Sequence, residues 1–258
     1  MLVGIKMKRQ ITFIALLLVF KMGFTQELNK EELEIVKTFV DCIKSNNIDK
    51  LKTHVVYPLR REYPLSDIDN ELEFEKRYNE IFDDSLKTII ISSNIKKDWS
   101  AVGWRGIMLK NGILWLDSDG RLISVNYQSN YERDKRAKLI EMDKDTIYRS
   151  LKDFEEPILI METGKMKIRI DKLKNGKYRY ASWSINSKMS KKPDLVIKDG
   201  NWIPEGSGDN HKYEFIKGNY KYDCIINVLG TDDTPPAELV IYQNDKEILN
   251  EPGQIKRK

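Results

Sequence analysis

The chain of 258 residues holds two histidines and two cysteines, and their placing bounds its chemistry. A zinc centre needs three or four convergent ligands. His54 and His211 lie far apart, and neither has a second ligand at a metal-binding spacing, so neither a metal nor any other cofactor is expected. Asp117-Ser118-Asp119-Gly120 opens like a calcium loop, but that loop wants glycine and glutamate where Leu122 and Gln128 stand. A hairpin turn is the better reading. Ser207 precedes His211 by four residues in the run Glu205-Gly206-Ser207-Gly208. A nucleophile elbow requires G-x-S-x-G between a strand and a helix, so this Ser–His pair reads as a loop. Asp83-Asp84 and Asp232-Asp233 read as solvated turns, and Arg60-Arg61 beside Tyr63 as exposed arginines. Catalytic residues are therefore not assigned, and the protein is expected to be non-enzymatic.

The cysteines carry no stronger signal. An oxidising compartment permits a Cys42–Cys224 disulfide. Each fits better as a small buried hydrophobe, because Cys42 lies beside Phe39 on a helix and Cys224 alternates with Tyr222, Ile226 and Val228. The aromatic set running from Tyr178 through Trp183, Trp202 and Tyr213 to Tyr222 suits either a ligand groove or the core of a β domain. Large rings of this kind dominate cores, which favours the second.

Stepping outward, the first 26 residues have the layout of a secretory signal. Lys6, Lys8 and Arg9 precede the apolar run Ile11–Phe20, and Glu27 is the first acid. The run is shorter than the roughly 20 apolar residues a membrane span needs. Processing near Gln26–Glu27 predicts a periplasmic or secreted protein with no integral membrane span in the mature chain. Four of the 44 basic residues and none of the 40 acidic ones lie in this segment, so the remainder balances. A phosphate-gripping surface needs a basic surplus, and nucleic acid is accordingly excluded as a partner.

The periodicity divides what remains. Leu33, Val36, Val40 and Ile43 mark an amphipathic helix; Ile48–His54 reads as a short second helix and Asn70–Phe82 as a third, with Leu72, Phe74, Tyr78, Ile81 and Phe82 as its apolar stripe. Leu86–Ile91 reads as a strand or an extended helix end. From Val102 the period is two: Gly103–Leu109, Ile113–Asp117 and Arg121–Tyr127 are strands joined by Asn111-Gly112 and Asp119-Gly120. Asn130–Asp153 is charged and helical, with Leu139, Ile140, Met142, Ile147 and Leu151 as its apolar positions. Beyond Pro157, short strands separated by turn dipeptides, Asp199-Gly200 among them, argue for an antiparallel barrel or sandwich. The fold class is α+β: N-terminal helices on a curved antiparallel sheet (28–128), a charged helical connector (129–156) and an all-β domain (157–258).

The segments FVDCIKSNNIDKLKTHV and GWRGIMLKNGILWLDSDGRLISVNY, in that element order, resemble the nuclear-transport-factor-2-like family over residues 28–128. The resemblance implies an α+β cone, a fold shared by enzymes and by non-catalytic binding domains, so it does not select between them. Enzymes of that family carry acids, tyrosine or histidine inside the cone. Here the turn spacing pairs Leu109 with Leu114 and Ile107 with Leu116, and adds Ile123 and Val125 to one aliphatic face. The other face receives Trp104, Met108 and Trp115, which become the candidate binding residues. The loop GSGDNHKY in the β domain is similar to that of periplasmic lysozyme inhibitors, which are small barrels, although the two-Cys framework of those proteins is missing. The expectation is an exported binding protein whose partner is an envelope protein, a small apolar ligand or a second copy of the chain. The alternatives are a cone-fold enzyme acting on a small apolar substrate and a lysozyme-inhibitor-like protein.

Overall fold

The computed structural model describes residues 27–206 and 208–256. The expected leader, residues 1–26, and Ser207 of the Ser207–His211 pair lie outside them. The first helix, α1 (Lys30–Lys44), starts where Asn29 accepts hydrogen bonds from the Glu31 and Glu32 amides while Glu32 returns one to the Asn29 amide at 2.8 Å. Its buried face is Val36, Phe39, Cys42 and Ile43. Helices α2 (Ile48–Lys52), α3 (Glu71–Ile81), α4 (Asp84–Ile91) and α5 (Ile95–Asp98) follow. The segment Leu86–Ile91 belongs wholly to α4 and is not a strand. The Asp83 side chain accepts from the Leu86 amide and caps the helix, and Leu86 and Ile90 are buried against the sheet, which outweighs the β-branched run. Leu72, expected in the α3 stripe, is exposed.

A four-stranded antiparallel sheet runs in the order β1 (Trp99–Ala101), β2 (Ile107–Leu109), β3 (Leu114–Leu116), β4 (Leu122–Val125). Leu109 pairs with Leu114 and Ile107 with Leu116, as the turn chemistry predicts. The next pairing differs. A register shift sets Leu116 opposite Leu122, so Leu122 and not Ile123 joins the inner face; Ile123 is the extra residue. The turn behind this shift carries Gly120 at φ +81°. The inner face packs on Phe39, Phe74, Phe82 and Ile90 in one core. Trp99, which opens a strand absent from the sequence reading, is buried in it and donates from its indole to Ser93 Oγ at 2.9 Å.

Helix α6 (Asn130–Thr146) leads to eight antiparallel strands: β5 (Glu156–Thr163), β6 (Met166–Lys172), β7 (Tyr178–Ser184), β8 (Leu195–Pro204), β9 (His211–Lys217), β10 (Tyr220–Ile226), β11 (Ala237–Gln243) and β12 (Lys246–Lys256). Each pairs with its neighbour and β12 pairs with β5, so the domain is a closed barrel. An eight-stranded barrel is narrow enough for side chains to fill, and Met161, Ile168, Ile170, Tyr180, Phe215 and Leu239 pack its interior. Asp199-Gly200 is not a hairpin turn: β8 continues through it, with Asp199 at φ +63°. Gly200 is needed because a Cβ there would lie 2.2 Å from the Phe215 ring. Cys42 and Cys224 are both buried and unbridged, and burial pushes the Cys224 thiol up.

Helix α6 is docked at both ends. Glu132 forms a buried ion pair with Arg61, whose guanidinium also donates to the Val125 and Tyr127 carbonyls. Asp143 holds Arg169 through two bonds of 3.0 and 2.5 Å. Arg169 and Asp171 alternate in sequence with the core residues Ile168 and Ile170 and so lie on the other side of the strand, yet both are fully buried beneath this helix. Met142, counted among its apolar positions, points to solvent, whereas Ile140, Ile147 and Leu151 pack with Phe154 and Trp183 on the barrel wall. Among the described residues no helix is long and apolar enough to cross a membrane.

Candidate functional site

Trp104 reaches its position from a turn rather than a strand. Residues Gly103–Arg105 form a single 3-10 turn between β1 and β2, closed by the Val102 amide donating to the Gly106 carbonyl at 2.8 Å. Gly103 and Gly106 have φ of +55° and +93°, a region open to glycine. The result is an indole left 70% exposed, with the Arg105 guanidinium 5.7 Å from its ring. Trp115, in β3, is half-buried. Its indole lies over Gly112, where a Cβ would be 3.1 Å from Nε1. Met108 pairs opposite Trp115 across β2 and β3 and is also half-buried. Of the three residues expected together, Trp104 and Trp115 line one cleft. Met108 does not line it.

The cleft encloses about 430 Å³ between the first unit and the barrel. Its opposite wall is Val228 and Leu229, 54% and 47% exposed. The alternation with Cys224 and Ile226 would turn Val228 inward, but β10 stops at Ile226 and both residues lie beyond it. The Asn210 side chain then clamps the following loop, accepting from the Val228 and Leu229 amides at 2.9 and 2.8 Å and donating to the Leu229 carbonyl at 2.9 Å. Gly208 leaves space for Leu229, whose Cδ1 would lie 2.5 Å from a Cβ there. The polar rim is Asn111, Ser124 and Asn126 from the first unit and Asp209 from the barrel. Ser124 Oγ donates to Asn126 Oδ1 at 2.6 Å, and Asn126 Nδ2 donates to the Gly112 carbonyl at 2.8 Å. These contacts order one side of the rim.

Among the described residues, no acid–base pair in hydrogen-bond contact lines the cleft. Arg105 and Asp209 are the charged residues lining it. His211, adjacent on the barrel, has Nδ1 2.7 Å from the Asp209 carbonyl and its ring 5.8 Å from that of Trp202. Burial pushes the neighbouring Tyr213 phenol up, which keeps it neutral. Among the described residues no group of three metal-ligating side chains converges. The aromatic set of the barrel divides: Tyr180, Trp183 and Tyr213 are buried, while Trp202 is 47% exposed.

A larger hollow of about 560 Å³ lies against α1 and α2, floored by Ile35, Phe39, Cys42 and Leu51. Its apolar floor comes from the first unit alone, and Phe39, Cys42 and Leu51 are themselves buried. His54 on its rim is tied to the Lys50 carbonyl at 2.9 Å. The interdomain cleft is the stronger site, because it leaves large apolar side chains from both units in water.

Compared with known proteins, the chain matches no family model, no curated protein and no solved structure. The site therefore rests on its own geometry. Sequence reasoning reached Trp104 and Trp115 through turn register and missed Val228, Leu229 and Asp209. The available signal was an aliphatic pair followed by Gly230 and the turn-rich run to Pro236, which marks a loop rather than a strand.

Proposed function

We propose that this is an exported, non-catalytic binding protein whose ligand or partner occupies the cleft between the helix-and-sheet unit and the barrel. The observation that carries the reading is Trp104, 70% exposed, facing Val228 and Leu229 across that cleft. Apolar side chains held wet in a concave site between two units are the common signature of a binding surface. The first unit is read as nuclear-transport-factor-2-like on the strength of its helices followed by a hairpin sheet. Its aliphatic inner face, Ile107, Leu109, Leu114 and Leu116, supports a binding role over a cone enzyme. Export rests on the charge and apolar pattern of residues 1–26.

The test is affinity capture from envelope extract with the mature chain as bait, in parallel with a Trp104→Ala, Trp115→Ala variant. A partner or small molecule retained by the wild type and lost by the folded variant supports the reading. Equal retention by both removes the cleft from it. Export is checked by mass spectrometry of native protein, which should find a new N-terminus between about residues 22 and 28. An intact Met1 or Met7 in cytosolic protein refutes it.

The closed eight-stranded barrel favours one second reading, inhibition of a lysozyme through the loops that border the cleft. A lysozyme activity assay with the mature chain decides it directly.

A further inference from the structure

We propose that the cleft recognises a neutral saccharide, with a sugar ring stacked on Trp104 and its hydroxyls held at the rim. The inference rests on the cleft being the binding site and adds the chemical class of its ligand. Three observations carry it.

The first is the balance of the lining. Trp104, Trp115, Ile123, Val228 and Leu229 are apolar, and Arg105, Asn111, Ser124, Asn126 and Asp209 are polar. A purely apolar ligand would shut the Asn111 amide and the Asp209 carboxylate away from water without a partner, which costs free energy. The second is charge. Among the described residues its lining carries one guanidinium and one carboxylate, so neither sign predominates. The third is unused bonding capacity. Neither the Asn111 amide nor the Asp209 carboxylate has a hydrogen-bond or ion-pair partner among the described residues. An amide offers two donors and an acceptor, and a carboxylate offers acceptors only. Together they match vicinal hydroxyls, each of which donates and accepts. A pyranose also has an apolar C–H face, which suits the electron-rich face of an exposed indole. A neutral ring that is apolar on its faces and polar on its edges fits all three.

The experiment follows the indole N–H resonances of the five tryptophans in the mature chain. They are assigned by single substitution. The probes are maltotriose, cellotriose and tri-N-acetylchitotriose, each at millimolar concentration, and an uncharged hexaproline peptide. The expected result is a saturable shift of the Trp104 and Trp115 resonances with at least one trisaccharide. Trp104→Ala should weaken that binding about tenfold, and Asp209→Asn should weaken it while the resonances of the buried Trp99 and Trp183 stay in place. If only the peptide shifts the two indoles, the cleft binds but its ligand is a polypeptide, and the saccharide assignment falls while the binding reading stands. If no probe moves either indole, the saccharide assignment falls, and the capture experiment with the double variant decides the binding reading separately.

Discussion

Trp104 and Trp115 face the same cleft, yet the contacts behind them differ, and so do the expected costs of removing them. Trp104 stands on a turn and is mostly in water, so Trp104→Ala should change unfolding stability by no more than about 0.5 kcal/mol. Trp115 is half-buried over Gly112 and should cost about 1–3 kcal/mol when truncated. Chemical denaturation of the two variants checks the difference. An equal, large loss for both would make Trp104 part of a core and the cleft an artefact of its packing. The opposite extreme lies under α6. Asp171 is fully buried, accepts from Arg169 at 2.7 Å and from Arg179 at 2.6 Å, and neutralises part of a four-member cluster completed by Asp143. Removing it leaves Arg169 with Asp143 alone and Arg179 with only the Leu151 and Asp153 carbonyls, so two buried positive charges share one carboxylate. Asp171→Ala should destabilise the protein by about 3–5 kcal/mol. The same experiment reads it, and a loss below about 1 kcal/mol would mean that the guanidinium groups reach water in solution.

At the scale of elements, turns decide what the strands present. Gly106 closes the turn that carries Trp104 and packs so tightly on β3 that a Cβ would lie 2.1 Å from the Leu116 carbonyl oxygen, which is backbone and cannot swing away. Its φ of +93° adds a conformational cost for any other residue. Gly106→Ala should therefore lower stability by at least about 2 kcal/mol and weaken ligand binding together, since β2 and the Trp104 turn shift as one. Gly103→Ala meets no neighbouring atom and should cost only the backbone term, about 1 kcal/mol. Comparing the two separates close packing from φ. These elements also mark where the sequence was legible. The Asn111-Gly112 turn fixed the pairing of Leu109 with Leu114, because a short hairpin loop leaves one register. The Asp119-Gly120 turn did not, since an extra residue beside it is invisible in an alternating pattern and moved Ile123 from the inner face to the cleft wall. Asp199-Gly200 looks like a hairpin but is the place where a strand yields to the Phe215 ring, a contact made by a residue 15 positions away. Arg169 and Asp171 alternate as solvent residues should, and only the docking of a distant helix buries them.

At the scale of the whole molecule, the question is whether two cores behave as one. The stretch 129–156 reads as a connector, but α6 joins Arg61 of the first unit through Glu132 and Arg169 of the barrel through Asp143, while Arg136 bonds both the Tyr63 carbonyl at 2.9 Å and Glu156 at 3.1 Å. Alkaline unfolding tests that coupling. Burial raises the Tyr78 phenol in the first core from its ordinary value of 10.0 to about 12, and raises the Tyr180 and Tyr213 phenols in the barrel as well. A folded-state pKa above the unfolded value contributes stability that is complete below about pH 10 and drains away as pH rises through the folded value. Each core carries such a group, so each is destabilised in the same window. Ion pairs at both ends of α6 hold the two cores to one helix. Both cores should consequently give way together. The ultraviolet absorbance of tyrosinate, followed above pH 10, should show exposed tyrosines ionising first and then a single cooperative step in which the buried phenols ionise as the protein unfolds. Asp143→Asn together with Arg136→Ala removes both of these ion pairs to the barrel and should split that step into two, one for each core. Two separate steps in the wild-type protein would show that α6 does not couple them, and a cleft built from both walls would then have to be assembled by its ligand.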